Sequence, residues 1–136
     1  YTLEYNFKKH PALPERKFFK MNFDQLNLIE NEIKIILENS FTGIGQLNNL
    51  YMDRNKISDI EKYAFQNIWR LYNLYMRKNE LKIIKYYFFM NLTYLKVLSL
   101  EENSIEIIEP NSFNDLNILE ILHLRNNKIA FISQAS

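Results

Sequence analysis

The stretch Leu71-Tyr72-Asn73-Leu74-Tyr75-Met76-Arg77-Lys78-Asn79-Glu80-Leu81 mixes apolar residues, two tyrosines and a basic pair. Taken alone it fits an amphipathic helix on a membrane, a strand, or an aromatic and basic binding site. Displacing the sequence by 24 residues resolves the choice. The frame Leu71-x-x-Leu74-x-Met76-x-x-Asn79-x-Leu81 recurs upstream as Phe23-x-x-Leu26-x-Leu28-x-x-Asn31-x-Ile33 and Leu47-x-x-Leu50-x-Met52-x-x-Asn55-x-Ile57. Downstream it recurs as Leu95-x-x-Leu98-x-Leu100-x-x-Asn103-x-Ile105 and Leu119-x-x-Leu122-x-Leu124-x-x-Asn127-x-Ile129. The register then continues through Ile36, Ile60, Ile84, Ile108 and Ile132, and through Phe41, Phe65, Phe89 and Phe113.

Each part of the frame has a physical reading. Apolar-x-apolar alternation puts two side chains on one face of a short strand, pointing into a core. The asparagine follows where the chain turns off the strand. In a stack its amide can bond backbone groups of its own and the neighbouring coil, which a buried turn requires. Asn31, Asn55, Asn79, Asn103 and Asn127 are therefore expected to form a ladder, and the four phenylalanines a spine towards the opposite side. One coil cannot bury its own apolar edges, so neighbours have to stack.

The frame resembles the leucine-rich repeat family, whose strand motif is L-x-x-L-x-L-x-x-N-x-L. The 24-residue length and the later phenylalanine are similar to the typical animal extracellular subclass, which includes Toll-like receptor ectodomains and chondroadherin. The resemblance covers Phe23 to Ile132. It implies an α/β solenoid: a curved arc with a parallel concave β-sheet and irregular or short helical convex segments. Residues 23–136 are read as five repeats, the last incomplete because its phenylalanine would fall at 137. Residues 1–22 read as a degenerate N-terminal repeat or cap-like segment, with Leu3, Tyr5, Leu13, Phe18 and Met21 in order but Lys8 in the asparagine's place. Neither end carries a cysteine-containing cap, so the 136 residues are expected to be part of a longer protein.

Composition narrows the function. The chain is 47% hydrophobic and 24% charged with a formal net charge of +1, so it lacks the strong basic field that draws in nucleic acid or anionic lipid. No nucleic-acid partner and no membrane insertion by this segment are expected, since no apolar run approaches the roughly 18 residues of a span. No signal-peptide pattern follows Tyr1, as a mature or truncated chain would also show. The absence of cysteine excludes disulfides and cysteine-based metal sites or nucleophiles. His10 and His123 are too far apart in the register to share a metal, and no glycine-rich phosphate loop is present, so neither metal nor cofactor is expected.

Function should lie at the positions the scaffold leaves free. On the concave strands these form the columns Gln25, Asn49, Asn73, Val97, Ile121, then Asn27, Tyr51, Tyr75, Ser99, His123, then Ile29, Asp53, Arg77, Glu101, Arg125, flanked by Glu30, Arg54, Lys78, Glu102, Asn126. Tyr51, Tyr72 and Tyr75 with Arg54, Arg77 and Lys78 form an aromatic and basic patch, the residue types interface hot spots favour. The plainer reading is that stacked tyrosines stabilise adjacent strands. Asn73, Ser99, Glu101, His123 and Arg125 complete the candidate ligand-binding set. The alternating signs from Asp53 to Arg125 favour pairing between neighbouring rungs, and Glu101 is expected to have two arginine neighbours. Ser99, His123 and Glu101 could be drawn as a hydrolase constellation, but a smooth sheet provides neither oxyanion hole nor cleft. Trp69, outside the core positions, is expected against Arg70 or Tyr94. Asn91-Leu92-Thr93 is the only N-x-[ST] sequon, and Asn91 should be exposed on the back as a candidate glycan site.

The reading is a non-enzymatic module that recognises a protein ligand or partner subunit through the concave face. The resemblance implies extracellular or cell-surface adhesion, receptor function or immune recognition. The alternative is a structural solenoid segment that forms homo- or hetero-oligomers through its convex side or ends.

Overall fold

The structure is a computed structural model and describes residues 2–4, 11–13 and 15–132. Tyr5, Lys8 and His10 lie outside the described residues. Twelve short strands follow in chain order: β1 (Thr2–Glu4), β2 (Ala12–Leu13), β3 (Gln25–Asn27), β4 (Ile35–Ile36), β5 (Asn49–Tyr51), β6 (Asp59–Ile60), β7 (Asn73–Tyr75), β8 (Ile83–Ile84), β9 (Val97–Ser99), β10 (Ile107–Ile108), β11 (Ile121–His123) and β12 (Phe131–Ile132). Odd strands form one six-stranded parallel sheet on the front, in the order β1-β3-β5-β7-β9-β11. Even strands form two smaller sheets on the back, β2-β4-β6 and β8-β10-β12. The solenoid expected from the repeat is therefore observed. Its back is strand and turn, with one turn of 3-10 helix at Gln66–Ile68 among the described residues.

Front pairing is in register, which stacks Leu3, Leu26, Leu50, Leu74, Leu98 and Leu122. With period-two alternation these side chains all point inward. Leu26, Leu50, Leu74 and Leu98 are fully enclosed, and burying each contributes about 2 kcal/mol of transfer free energy. The fifth coil has one stacked neighbour, so its Leu122 is 36% exposed. Phe41, Phe65, Phe89 and Phe113 stack behind the leucines, with ring centroids 5.9, 6.5 and 6.1 Å apart.

After β3, β5, β7, β9 and β11 the chain passes through a left-handed residue, at Glu30, Arg54, Lys78, Glu102 and Asn126, with φ between 52° and 58°. This turn aims the next residue, the asparagine, into the stack. Asn79 donates through Nδ2 to Met52 O, Met76 O and Arg77 O at 3.0, 3.1 and 3.3 Å, and accepts at Oδ1 from the Ile57 N–H at 3.0 Å. Asn55, Asn103 and Asn127 repeat the pattern in their own coils. Asn31 donates to Leu28 O and Ile29 O. The left-handed conformation costs a side-chain-bearing residue about 1 kcal/mol. Asn126 is the residue type that tolerates it best.

Candidate recognition face

Parallel in-register pairing places Tyr51 beside Tyr75 on the front. Their rings lie 5.1 Å apart, centroid to centroid, and within 3° of coplanar orientation. Both are partly exposed. On one side the Asn73 amide donates to Asn49 Oδ1. This second rung, with Asn49 at its other end, follows from two asparagines meeting in one column, a signal the choice of candidates passed over. Tyr72 is also partly exposed, with Lys96 Nζ 5.9 Å from its ring centre.

On the other side of the tyrosines sits Asp53, half-buried, accepting the Arg77 backbone N–H at 2.7 Å. Burial raises its carboxyl pKa above the ordinary value, outweighing that hydrogen bond and the charges of Arg77 and Arg54. Burial also raises the Tyr75 phenol, helped by Tyr51 and Asp53. Because the folded pKa of Asp53 lies above its unfolded one, ionising it lowers stability as pH rises from about the unfolded value of 3.8 through the folded value. Asp53→Asn keeps an acceptor for Arg77 N–H without the charge. Its stability relative to the wild type is expected to increase as pH is raised across that window, measured by paired urea titrations. A constant difference would contradict the assignment.

The patch is aromatic, but its cations are paired, as the alternating signs favoured, rather than forming the free basic patch also expected from Arg54, Arg77 and Lys78. Arg54 pairs with Glu30 at 3.1 Å, Arg77 with Glu102 at 3.0 Å, and Lys78 with Glu102 at 3.6 Å. Arg77 Nε also lies 3.7 Å from Glu101, an ion pair too long for a hydrogen bond. Burial opposes the charge on Glu102, but the Arg77 hydrogen bond and the charges of Lys78 and Arg77 hold its pKa below the ordinary value. The carboxylates stand one coil, 24 or 25 residues, from their partners, so neighbouring rungs neutralise one another.

Three other positions differ from expectation. Ser99 is only 3% exposed, enclosed between the larger rungs Tyr75 and His123, so it offers no free hydroxyl beside them. Of its two arginine neighbours, Glu101 lies within ion-pair distance of Arg77 among the described residues, and His123 Nδ1 stands 3.7 Å from its carboxylate. Arg125 is exposed in the last coil. Asn91 is partly buried rather than exposed, because it occupies a left-handed turn (φ 68°) whose N–H donates to Asp115 Oδ2 at 2.8 Å. Trp69 meets both expected neighbours, with the Arg70 guanidinium 4.8 Å over its ring and the Tyr94 centroid 5.5 Å away.

Comparisons with known proteins agree with this architecture. The leucine rich repeat family pattern matches residues 69–129. Among solved structures, the crystal structure of a TLR13–ssRNA13 complex is similar to this chain, with a TM-score of 0.79 and 28% identity. The similarity covers 89% of this chain and 17% of that one, so the chain spans about a sixth of its length. No curated protein matches.

Proposed function

This chain is a leucine-rich repeat protein with repeats like those of Toll-like receptors, and from that premise we propose that its front sheet recognises a protein partner without catalysing a reaction. The observation that carries the reading is the parallel Tyr51–Tyr75 stack, partly exposed at the centre of the sheet on positions the scaffold leaves free. Two rigid aromatics fixed by strand spacing give a partner a large contact at little entropic cost. The surrounding set is Arg54, Tyr72, Asn73, Arg77 and Lys78, with Glu101, His123 and Arg125 further along. The proposed setting is extracellular or at the cell surface.

The TLR13 complex contains single-stranded RNA, and exposed tyrosines can stack on bases. Tracking an RNA backbone also requires cations free to meet phosphates. Here Arg54, Arg77 and Lys78 already face Glu30, Glu101 and Glu102, which favours a protein.

The test is a surface-binding screen against a panel of extracellular proteins, with a single-stranded RNA oligonucleotide as a second arm. A bound protein should lose at least about 30-fold in affinity to the Tyr51→Ala/Tyr75→Ala variant, as hot-spot residues worth 2 kcal/mol or more imply. Unchanged affinity for the folded variant, or binding to the RNA alone, would overturn the reading. The assembly alternative draws on a second observation, the exposed Ile35, Ile83 and Ile107 on the back. Self-association that persists in the double-alanine variant would favour it.

A further inference from the structure

The front sheet is continuous, but the back is broken between β6 and β8. No Cα of β6 comes within 8 Å of a Cα of β8, whereas paired strands lie about 4.8 Å apart. At the joints on either side, Glu61 N–H donates to Ile36 O and Glu109 N–H to Ile84 O, both at 2.9 Å. Ser58 N–H donates to Lys34 O and Glu106 N–H to Lys82 O, at 2.9 and 2.8 Å. The equivalent bonds across the break, from Lys85 N–H to Ile60 O and from Lys82 N–H to Ser58 O, are not formed among the described residues.

Three residues at this joint depart from the repeat. Asp59 stands where three other coils carry Ile35, Ile83 and Ile107. Lys85 stands where Glu61 and Glu109 use their carboxylates to accept the N–H groups of Glu38 and Tyr86, at 2.8 and 2.9 Å. A lysine has no acceptor to offer. Phe88 stands where Ser40 and Ser112 donate their hydroxyls to Leu13 O and Ile84 O, both at 3.0 Å. Phe88 is fully buried, so a phenyl ring occupies the place of a serine that ties two coils together. Lys85 Nζ lies 5.7 Å from the Phe88 ring centre and 3.0 Å from Asp59 Oδ1. The wedge is thus roofed by a partly exposed ion pair, beside a hollow lined by Ser58, Glu80, Lys82 and Ile83.

We propose that this joint, between the second and third repeats, is a bending point of the solenoid. The intact β5–β7 ladder is the hinge, and the Lys85–Asp59 pair is the strap across its open side. Backbone hydrogen bonds between the back strands resist opening at the neighbouring joints; here a partly exposed ion pair, which holds weakly in water, takes their place, and the remaining backbone bond, from Glu80 N–H to Ile57 O at 2.9 Å, lies nearer the front. Tyr51 belongs to the coil on one side of the hinge and Tyr75 to the coil on the other. Bending therefore changes the angle between the two rings, 3° in this structure. The bending itself does not depend on what the tyrosines bind.

Amide hydrogen exchange followed by NMR tests the open back directly. The Lys82 and Lys85 amides are expected to exchange at least tenfold faster than Glu106 and Glu109, their equivalents one repeat on. The chain has no cysteine, so spin labels on Lys34→Cys and Glu106→Cys report the span across the joint. The Asp59→Ile/Lys85→Glu variant, which restores the residues of the other repeats, should slow exchange at Lys82 and Lys85 and narrow the interspin distance distribution. If the double variant does not fold, Asp59→Ala alone, which releases the strap, should speed exchange at Lys82 and Lys85 further and broaden the distribution. Equal exchange at the two sites in the wild type, or a distribution of the same width before and after substitution, would overturn the proposal.

Discussion

Asn79→Ala is expected to destabilise the chain by about 3–5 kcal/mol, because it orphans several buried backbone groups at once. The amide serves Met52 O from the preceding coil, Met76 O and Arg77 O from its own, and the Ile57 N–H. Asn79 is buried, so water cannot take over without opening the stack. Each buried group left without a partner costs roughly 1–3 kcal/mol, and alanine supplies neither donor nor acceptor. The position along the solenoid provides an internal control. Asn127 makes the same bonds in the last coil, where they are partly exposed, so Asn127→Ala should cost about half as much or less, water replacing part of what is lost. Urea denaturation followed by far-UV circular dichroism would measure both. Equal losses at the two positions would mean the ladder does not act through burial.

Phe65→Ala should cost about 3–5 kcal/mol by a different route, the cavity left by a phenyl ring. Phe65 is fully enclosed and has a ring on each side, Phe41 at 5.9 Å and Phe89 at 6.5 Å. Phe89 cannot move into the space without leaving Phe113, and Phe41 is itself fully enclosed, so the cavity collapses poorly. Phe113 has one such neighbour and is only partly buried, and its alanine variant should lose about half as much. In a solenoid each coil contacts only its neighbours, so losses in the central coils should separate the two halves of the unfolding transition. The intrinsic fluorescence of Trp69, the only tryptophan, and circular dichroism of the whole chain would then report different midpoints. Coincident midpoints with a loss below about 1 kcal/mol would contradict the spine's role.

The repeat was legible in the sequence because every scaffold position recurs at a fixed interval. Leu74, Met76 and Asn79 could be assigned to the inside, and Tyr72, Tyr75, Arg77 and Lys78 to the outside, without coordinates. The tyrosine pair followed as directly, since two positions 24 residues apart on stacked strands are neighbours. The charge of the patch followed only in part. The alternating signs favoured pairing of Arg77 with Glu101, but only the packed coils show Arg77 also reaching Glu102 in the flanking column. Ser99 reads as exposed, yet its small side chain disappears between larger rungs. Asn91 reads as a surface turn, yet its backbone is tied to Asp115 in the next coil.

The sequence by itself determined the coil: which residues face the core, where the chain turns and which rungs stand above one another. These properties are periodic, and hydrophobic burial enforces them at every repeat. Tertiary structure alone decided which partners the flanking charges of the front take and where the ladder behind them breaks. Asp59, Lys85 and Phe88 are three unremarkable surface and core residue types in sequence. They open a joint because all three fall at one interface, where the width of the gap is set by the side chains packed on both sides.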